Sequence, residues 1–205
     1  LLSGLFFYQL NVNERYNGLI SAMKDLKAQV YETNLQLDRT LFGSELAEEH
    51  ELFVEEYETM RQEMKSFFAR PLFRELEAAN ERIESEKTTL ENMFLMNDEK
   101  IAQMSGSVER FSEKYETYLP GLFEATVYYE DTELQDTRDA VETLSKSFST
   151  QVSTQFDTIV EHIETSVAER EQRSRLIVMA VVAAVVAVVT LMLITIIVQL
   201  RRRIV

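Results

Sequence analysis

Residues 176–200 read LIVMAVVAAVVAVVTLMLITIIVQL, a run of 25 residues without one charged side chain. A transmembrane helix needs about 20 mostly apolar residues to cross the ~30 Å hydrocarbon core of a bilayer. Helices buried in soluble proteins rarely stay apolar on every side over such a length. The run therefore predicts a membrane-spanning helix.

The charges on the two sides of this run differ sharply. Arg201, Arg202 and Arg203 follow it, and Lys and Arg are enriched on the cytoplasmic flank of membrane helices. The residues before the run contain 18 basic and 35 acidic side chains, a net charge of −17. We therefore expect residues 11–175 to form a domain outside the cytoplasm. Residues 201–205 should begin a cytoplasmic linker.

Residues 1–10, LLSGLFFYQL, are apolar and aromatic but too short to span a membrane. We interpret them as the outer end of a first transmembrane helix that begins upstream of residue 1. Phe6, Phe7 and Tyr8 would then lie at the membrane interface, where aromatic side chains are enriched. The alternative is the amphipathic start of a soluble helix. With a first membrane helix the protein is multi-pass, and both ends of the outer domain lie at one membrane face.

The outer domain is predicted to be all-α. Only 5 Gly and 2 Pro occur in 205 residues, too few for the closely spaced turns of a β-protein. Apolar residues recur every three or four positions, as on one face of a helix. The first helix should end before Gly43, with Ser44 as the N-cap of the second, and Pro71 should begin the third. In the first helix the predicted buried positions are Leu19, Met23, Leu26, Val30, Leu37 and Leu41. In the second helix they are Phe53, Tyr57, Met60, Met64 and Phe67.

A third helix is predicted over residues 72–119. One seven-residue register continues from Leu76 to Leu122, straight through Gly106, which favours a continuous helix. The alternative breaks at Gly106 and gives six helices in two stacked modules. Three polar residues occupy core positions of this register and are expected to set the register or to extend their polar ends to water: Asn80, Lys87 and Asn97.

The last helix should begin at Thr132, as its N-cap, and continue unbroken into residues 176–200. A chain that leaves and re-enters one membrane face needs an even number of antiparallel helices. This favours an up-down-up-down four-helix bundle. The third and fourth helices are longer than the first two, so we expect them to project as a two-helix tip. A tip with an exposed apolar stripe would be covered by a partner, which predicts a homodimer.

The composition excludes several kinds of chemistry. The chain has no Cys, which excludes disulfides, thiolate zinc sites and cysteine nucleophiles. The strongly acidic charge argues against nucleic acid as a partner. His50 and His162 are expected at the surface, and no Gly-rich phosphate loop occurs. We therefore predict that the protein is not an enzyme and binds neither a metal nor a cofactor.

Ligand binding between helices stays open. Arg39 and Arg138 are candidates because both should lie at the end of the bundle far from the membrane. Surface ion pairs with Asp38 and Asp139 are the alternative for these arginines. Aromatic side chains near the same end are candidates to line a pocket, although packing or dimer contact would also explain them: Tyr115, Tyr118, Phe123, Tyr128 and Tyr129. Among these, Tyr115 and Tyr118 are the predicted ligand-binding residues.

These features together resemble a known class of input module. A helical bundle between two membrane helices, followed by Arg202-Arg203-Ile204-Val205, resembles bacterial methyl-accepting chemotaxis receptors and sensor histidine kinases. In those proteins the second membrane helix continues as R-R-I-V-x-P into a HAMP signal-relay domain. The stretch from Arg39 to Glu45, with Phe53 and Tyr57, is similar to the connection between the first two helices of four-helix-bundle and CHASE-type sensors. The paired arginines of the aspartate receptor's first helix are absent.

The resemblance implies a receptor in the bacterial inner membrane, with residues 11–175 in the periplasm and the C-terminus in the cytoplasm. Such a receptor would sense a small molecule or a periplasmic binding protein and move its last helix, most simply in chemotaxis signalling. It would act on cytoplasmic signalling partners through residues beyond Val205. The alternatives are a histidine-kinase input domain and a structural or partner-docking membrane protein that transmits no signal.

Overall fold

The computed structural model describes residues 2–115 and 118–204, with the side chains of residues 14–115, 118–197 and 199. The described regular structure is entirely helical, which confirms the all-α prediction; a single isolated β-bridge joins Glu45 and Pro120. The helices are α1 (Leu2–Phe42), α2 (Leu46–Phe68), α3 (Pro71–Ala79), α4 (Glu81–Tyr115), a 3₁₀ helix (Glu124–Tyr128), α5 (Thr132–Lys146), a π-helix (Ser147–Val152) and α6 (Ser153–Ile204).

The chain divides into two compact units. The core unit is Asn17–Glu164. The terminal unit combines Leu1–Tyr16 with Thr165–Val205. The interfacial aromatics predicted within residues 1–10, and the side chains of Arg201–Arg203, lie outside the described side chains.

The predicted apolar stripes of α1 and α2 form the core of the core unit. All five predicted positions of α2 are at most 4% exposed, and those of α1 are buried except Leu41, which is half-buried. Thr33 fills the one polar gap in the α1 stripe, where it is 2% exposed. Its hydroxyl contacts the Met60 sulfur at 3.7 Å. The period of the sequence therefore identified the buried face of both helices correctly.

The third predicted helix is continuous at Gly106 but not over its whole length. Helix α4 passes through Gly106 without interruption, which excludes the six-helix alternative with a break there. The prediction of one helix over residues 72–119 is nevertheless wrong, because the chain is extended at Asn80 and α3 and α4 are separate. The Asn80 side-chain oxygen accepts a hydrogen bond from the Arg82 backbone N–H at 3.0 Å. Asn80 therefore caps α4 instead of setting a core register.

Tertiary packing explains this break. Helix α3 places Phe73 against Phe67 and Phe68, with ring centroids 5.3 and 4.9 Å away. Lys87 reaches back from α4 to Glu77, with a distance of 2.7 Å between Nζ and Oε1. Because α3 turns across the end of α2, its Phe73 closes the core where α2 stops.

A polar network joins α2 to α4 in the middle of the core unit. The Tyr57 hydroxyl donates a hydrogen bond to the Asp98 carboxylate, and Arg61 donates to the same carboxylate at 2.8 Å. Burial, followed by the hydrogen bond to Asp98, raises the pKa of Tyr57. The guanidinium of Arg61 also lies over the Phe94 ring, 5.1 Å from its centroid.

Polar contacts show that α1 runs antiparallel to α2 and to the last helix. Between α1 and α2, Gln29 binds Glu63 at 2.6 Å and Gln36 binds Glu49 at 3.1 Å. Between α1 and the last helix, Lys27 pairs with Asp157 and Lys24 with Glu164. The sequence order of the partners is reversed between α1 and α2, as in an antiparallel pair.

The turn between α1 and α2 meets the segment after α4, residues 118–131. The backbone N–H of Leu46 donates to the Leu119 carbonyl at 3.0 Å, and that of Gly121 donates to the Ser44 carbonyl at 3.1 Å. Glu45, not Ser44, occupies the N-cap of α2 and makes no side-chain capping bond. Both turns therefore lie at the same level. The predicted two-helix tip is wrong.

Helical backbone is unbroken from α5 through the π-helix into α6. Its N-cap is Asp131, whose side chain accepts from the Glu133 N–H at 3.0 Å, and not Thr132 as predicted. In the terminal unit, the described side chains of residues 179–197 are exposed. Among the described residues one helix is long and apolar enough to cross a membrane, as expected from residues 176–200.

Candidate functional site

A groove of about 680 Å³ opens on the core unit where three segments meet. The end of α1 forms one wall, the segment after Pro120 forms the floor, and α5 with the π-helix forms the opposite wall. Its volume lies in the ~300–1,000 Å³ range typical of small-molecule sites. It is lined by Asp38, Leu41, Leu122, Phe123, Thr126, Arg138, Glu142, Ser145, Lys146 and Ser149.

Arg138 is the one predicted ligand-binding residue that lines this groove. The residue is half-buried, and its Nη2 donates a hydrogen bond to the Leu122 carbonyl oxygen at 2.7 Å. This bond fixes the guanidinium while leaving donors that can bind a ligand. The described side chains include no ion-pair partner for it, so the alternative pairing with Asp139 is wrong.

Two further charges follow Arg138 along the same wall. Glu142 and Lys146 come four and eight residues later, which places all three on one face of a helix. Neither forms an ion pair with a described side chain, although this spacing permits one. On the facing wall, Asp38 accepts a hydrogen bond from the Ser145 hydroxyl at 3.1 Å. The groove thus contains two acidic and two basic side chains.

An exposed aromatic pair adjoins the groove, and one of its two members, Phe123, lines it. Phe123 stacks on Phe42 with ring centroids 4.6 Å apart. The two residues are 60% and 67% exposed, respectively. Large apolar side chains exposed side by side are typical of a ligand-binding groove or a protein interaction site.

The π-helix coincides with the groove. It begins directly after Lys146, and its Ser149 lines the groove wall. Single π-turns inside α-helices are rare and frequently occur at functional sites. This π-turn is therefore a second feature that singles out the same place, and the sequence pattern did not predict it.

The other predicted ligand-binding residues lie elsewhere. Arg39 is exposed, and its Nη1 donates to Gln36 Oε1 at 2.8 Å instead of pairing with Asp38. Tyr118 is 54% exposed and donates to Glu124 at 2.9 Å. Neither residue lines the groove.

Tyr115 belongs to a structural cluster at the start of α5. Its hydroxyl donates to Asp131 at 2.9 Å, and Lys114 donates to the same carboxylate. Desolvation acts to raise the pKa of Asp131, but the hydrogen bonds from Lys114 and Tyr115 oppose it and the pKa is lowered. This carboxylate is also the N-cap of α5, so the cluster fixes a helix end and leaves Tyr115 outside the groove.

His50 is not at the surface, contrary to the prediction. It is 7% exposed, and burial lowers its pKa to about 4. The Ser105 hydroxyl donates to the Ile101 carbonyl, so its oxygen accepts from His50 Nε2 at 2.9 Å. His50 Nδ1 is then a buried acceptor that has no hydrogen-bond partner among the described residues. The prediction failed because His50 lies on the buried face of α2, whereas its acidic neighbours in sequence lie on other faces of that helix.

The sequence reasoning missed Glu142 and Lys146, whereas Phe123, one of the candidate aromatic residues, does line the groove. The spacing from Arg138 to Glu142 to Lys146 was visible in the sequence, but such charges usually form a solvated face. Only the fold brings Asp38 and Phe123 to them. Within the described residues, no cluster of His, Asp and Glu is arranged to hold a metal ion.

Comparison with known proteins gives no identification. No family model, no curated protein and no solved structure matches the chain.

Proposed function

We propose that the chain is the input part of a transmembrane signal receptor. In this proposal the core unit senses a ligand outside the cytoplasm and the last helix carries the response to a cytoplasmic output module. Chemotaxis signalling is the output we favour, and a histidine kinase is the alternative. The proposal includes a four-helix arrangement in which α1, α2, α4 and the last helix run up, down, up and down.

One observation carries this proposal. The helix that forms the charged wall of the groove, from Arg138 to the π-helix, continues without a non-helical residue to the apolar residues 176–197. A continuous helix can transmit a shift or a rotation that a flexible loop would absorb. A ligand that changes the π-turn would change the helical register of everything that follows it.

The membrane placement is part of the same proposal. The acidic outer residues and the three arginines after residue 200 support a periplasmic core unit and a cytoplasmic C-terminus in a bacterial inner membrane. Residues 1–10 would complete a first membrane helix. We also propose a homodimer, because α1 carries a second, exposed apolar row spaced as on one helix face: Tyr31, Leu35 and Phe42.

The experiment that tests this function interrupts the last helix between groove and membrane. Two glycines inserted after Ser174 in the full-length receptor should abolish the output response, because adjacent glycines weaken a helix by about 1 kcal/mol each and admit bending. Folding of the core unit, followed by circular dichroism, should be unchanged. As the matched control, two alanines at the same place keep the helix but change its phase by about 200°.

The two insertions separate the outcomes. Loss of response with glycines alone indicates transmission that needs stiffness, and loss with both indicates transmission that also needs a fixed phase. A full response with both insertions would reject the receptor proposal. That result would favour the alternative of a partner-docking membrane protein, with the exposed Phe42–Phe123 pair as its contact surface.

A further inference from the structure

We propose that the groove binds a small zwitterion with an apolar body, the chemistry shared by apolar amino acids and by dipeptides built from them. This inference rests on the proposed function, since it names the ligand class of that receptor. It is carried by the charges of the groove, its apolar floor and its size.

The charges favour a ligand that has both signs. Arg138 and Lys146 offer positive partners for a carboxylate, while Asp38 and Glu142 offer negative partners for an ammonium group. A simple anion would meet two carboxylates here and the −14 net charge of the chain beyond them. A simple cation would meet the guanidinium of Arg138. A zwitterion can pair with both sets and adds no net charge.

Arg138 is positioned to select the carboxylate end. Its hydrogen bond to the Leu122 carbonyl holds the guanidinium in place before any ligand arrives. The planar guanidinium binds a carboxylate through two parallel N–H donors, a geometry that an ammonium group cannot use. The orientation of the ligand would therefore be set at the Arg138 end of the groove.

The apolar body has its own place. Leu41, Leu122 and Phe123 line the groove, and the Phe123 ring is 60% exposed. Leu122 is only 1% exposed, so a ligand side chain removes apolar surface from water mainly by covering Phe123 and Leu41. A small polar zwitterion such as glycine would leave this surface exposed and should bind more weakly.

The groove admits either source of this chemistry. Its volume of about 680 Å³ exceeds what one amino acid needs and accommodates a dipeptide. The probes are therefore L-leucine and L-leucyl-L-leucine. Each is compared with its N-acetylated form, which keeps only the negative charge, and with its C-terminal amide, which keeps only the positive charge.

Isothermal titration calorimetry of the 205-residue chain in lipid nanodiscs measures the binding. At least one of the two zwitterions should bind, and both of its single-charge forms should bind at least about tenfold more weakly, because a site built for a polar group rejects the analogue that lacks it. The stronger of the two zwitterions identifies the source.

Variants locate the site. Arg138→Ala and Lys146→Gln should each weaken binding of the zwitterion at least about fivefold, since each removes a charged partner. Lys146→Gln is the variant that keeps the fold, because Lys146 is exposed and forms no ion pair with any described side chain. Arg39→Ala is the matched control, because Arg39 lies on α1 beside Asp38 but does not line the groove. This variant should bind the zwitterion with unchanged affinity.

Several results would overturn the proposal. They are no heat from either zwitterion at millimolar concentration, single-charge forms that bind as well, or binding that survives both groove variants. The readout is independent of signal relay. A receptor with a different ligand would fail this titration yet lose its response to the glycine insertion, whereas a binding protein without relay would bind the zwitterion and show no response at all.

Discussion

The middle of the core unit and the junction at its end are held together by different groups. In the middle, α2 and α4 contact each other through side chains such as Tyr57 and Phe94, whose ring centroids are 6.2 Å apart. At the junction, residues 40–46 contact residues 119–123 through the backbone itself. There the N–H groups of Leu122 and Phe123 donate to the Thr40 and Leu41 carbonyls at 3.4 and 3.0 Å.

This difference has a physical reason. The last carbonyls of α1 and the first N–H of α2 have no partner within their own helices. The junction supplies those partners from a distant segment of the chain, which requires the two backbones to approach closely. Side-chain packing can adjust by a change of rotamer, whereas a backbone contact cannot. We therefore expect the junction to tolerate substitutions less well than the middle.

The largest expected effect is that of Gly121→Ala. A Cβ at residue 121 would overlap the carbonyl oxygen of Gly43, and backbone atoms cannot move aside as a flexible side chain can. We expect a loss of at least about 3 kcal/mol in the free energy of unfolding, at the upper end of overpacking effects. Urea unfolding of the full chain in detergent, followed by circular dichroism, measures it.

Gly18→Ala is the control for this substitution. Gly18 lies inside α1, and no atom of the described residues lies within 4 Å of the position its Cβ would take. Alanine there should stabilise the chain by up to about 1 kcal/mol, because glycine is the poorer helix former. If Gly121→Ala unfolded at the same urea concentration as the unmodified chain, the close contact with Gly43 would be disproved.

The same contrast explains what the sequence could predict. Burial in the middle follows a helical period that the local sequence records, so the stripes of α1 and α2 were predicted residue by residue, with only Leu41 half-buried. The break at Asn80 was missed because Asn80 and Lys87 continue the register in sequence. What ends the helix there is the packing of Phe73 on the end of α2, a tertiary effect that the period does not contain.

The candidate site was less predictable than the fold. Arg138 was found because its height in the bundle follows from helix lengths alone. The rest of the groove depends on the junction, which brings Leu122 and Phe123 from one segment beside Asp38 and Leu41 from another. The π-turn next to Lys146 was also not predicted, although the buried residues that cross it are all spaced by four: Leu144, Phe148, Val152 and Phe156.

The second expected effect concerns His50, which is buried in the middle of the core unit. The pKa of His50 falls from 6.5 in the unfolded chain to about 4 in the folded chain. Between these values the unfolded state binds more protons, so stability is complete above pH ~6.5 and is lost as the pH falls towards 4. The loss attributable to His50 should reach about 3 kcal/mol by pH 4, since one pKa unit corresponds to about 1.4 kcal/mol.

His50→Gln isolates this contribution. Glutamine can still donate a hydrogen bond to the Ser105 oxygen but does not titrate. Between pH 6.5 and pH 4 the variant should therefore lose less stability than the unmodified chain, although carboxylates such as Asp131 titrate in both. Unfolding free energies that fall in parallel for the two proteins would show that His50 is accessible to protons in the folded state.

The smallest expected effect is that of Gly106→Ala. This glycine lies in α4, in the part of the core unit where helices contact each other through side chains. A Cβ at residue 106 would meet only the Arg110 Nη1 atom, at 3.2 Å, which is the far end of a flexible side chain. Gly106 lies inside a continuous helix, where alanine is favoured over glycine by about 1 kcal/mol. Moving Arg110 would strain its ion pair with Glu133, which has a distance of 2.7 Å between Nη2 and Oε2.

That ion pair opposes the gain only weakly. Arg110 is 55% exposed, and ion pairs between exposed side chains contribute little to stability. We therefore expect Gly106→Ala to be neutral or to stabilise by up to about 1 kcal/mol, measured by the same urea unfolding. The double variant with Arg110→Ala should show the full gain from helix propensity. If both Gly106→Ala proteins lost more than about 1 kcal/mol, residue 106 would need a conformation that only glycine adopts, and α4 would not be continuous there.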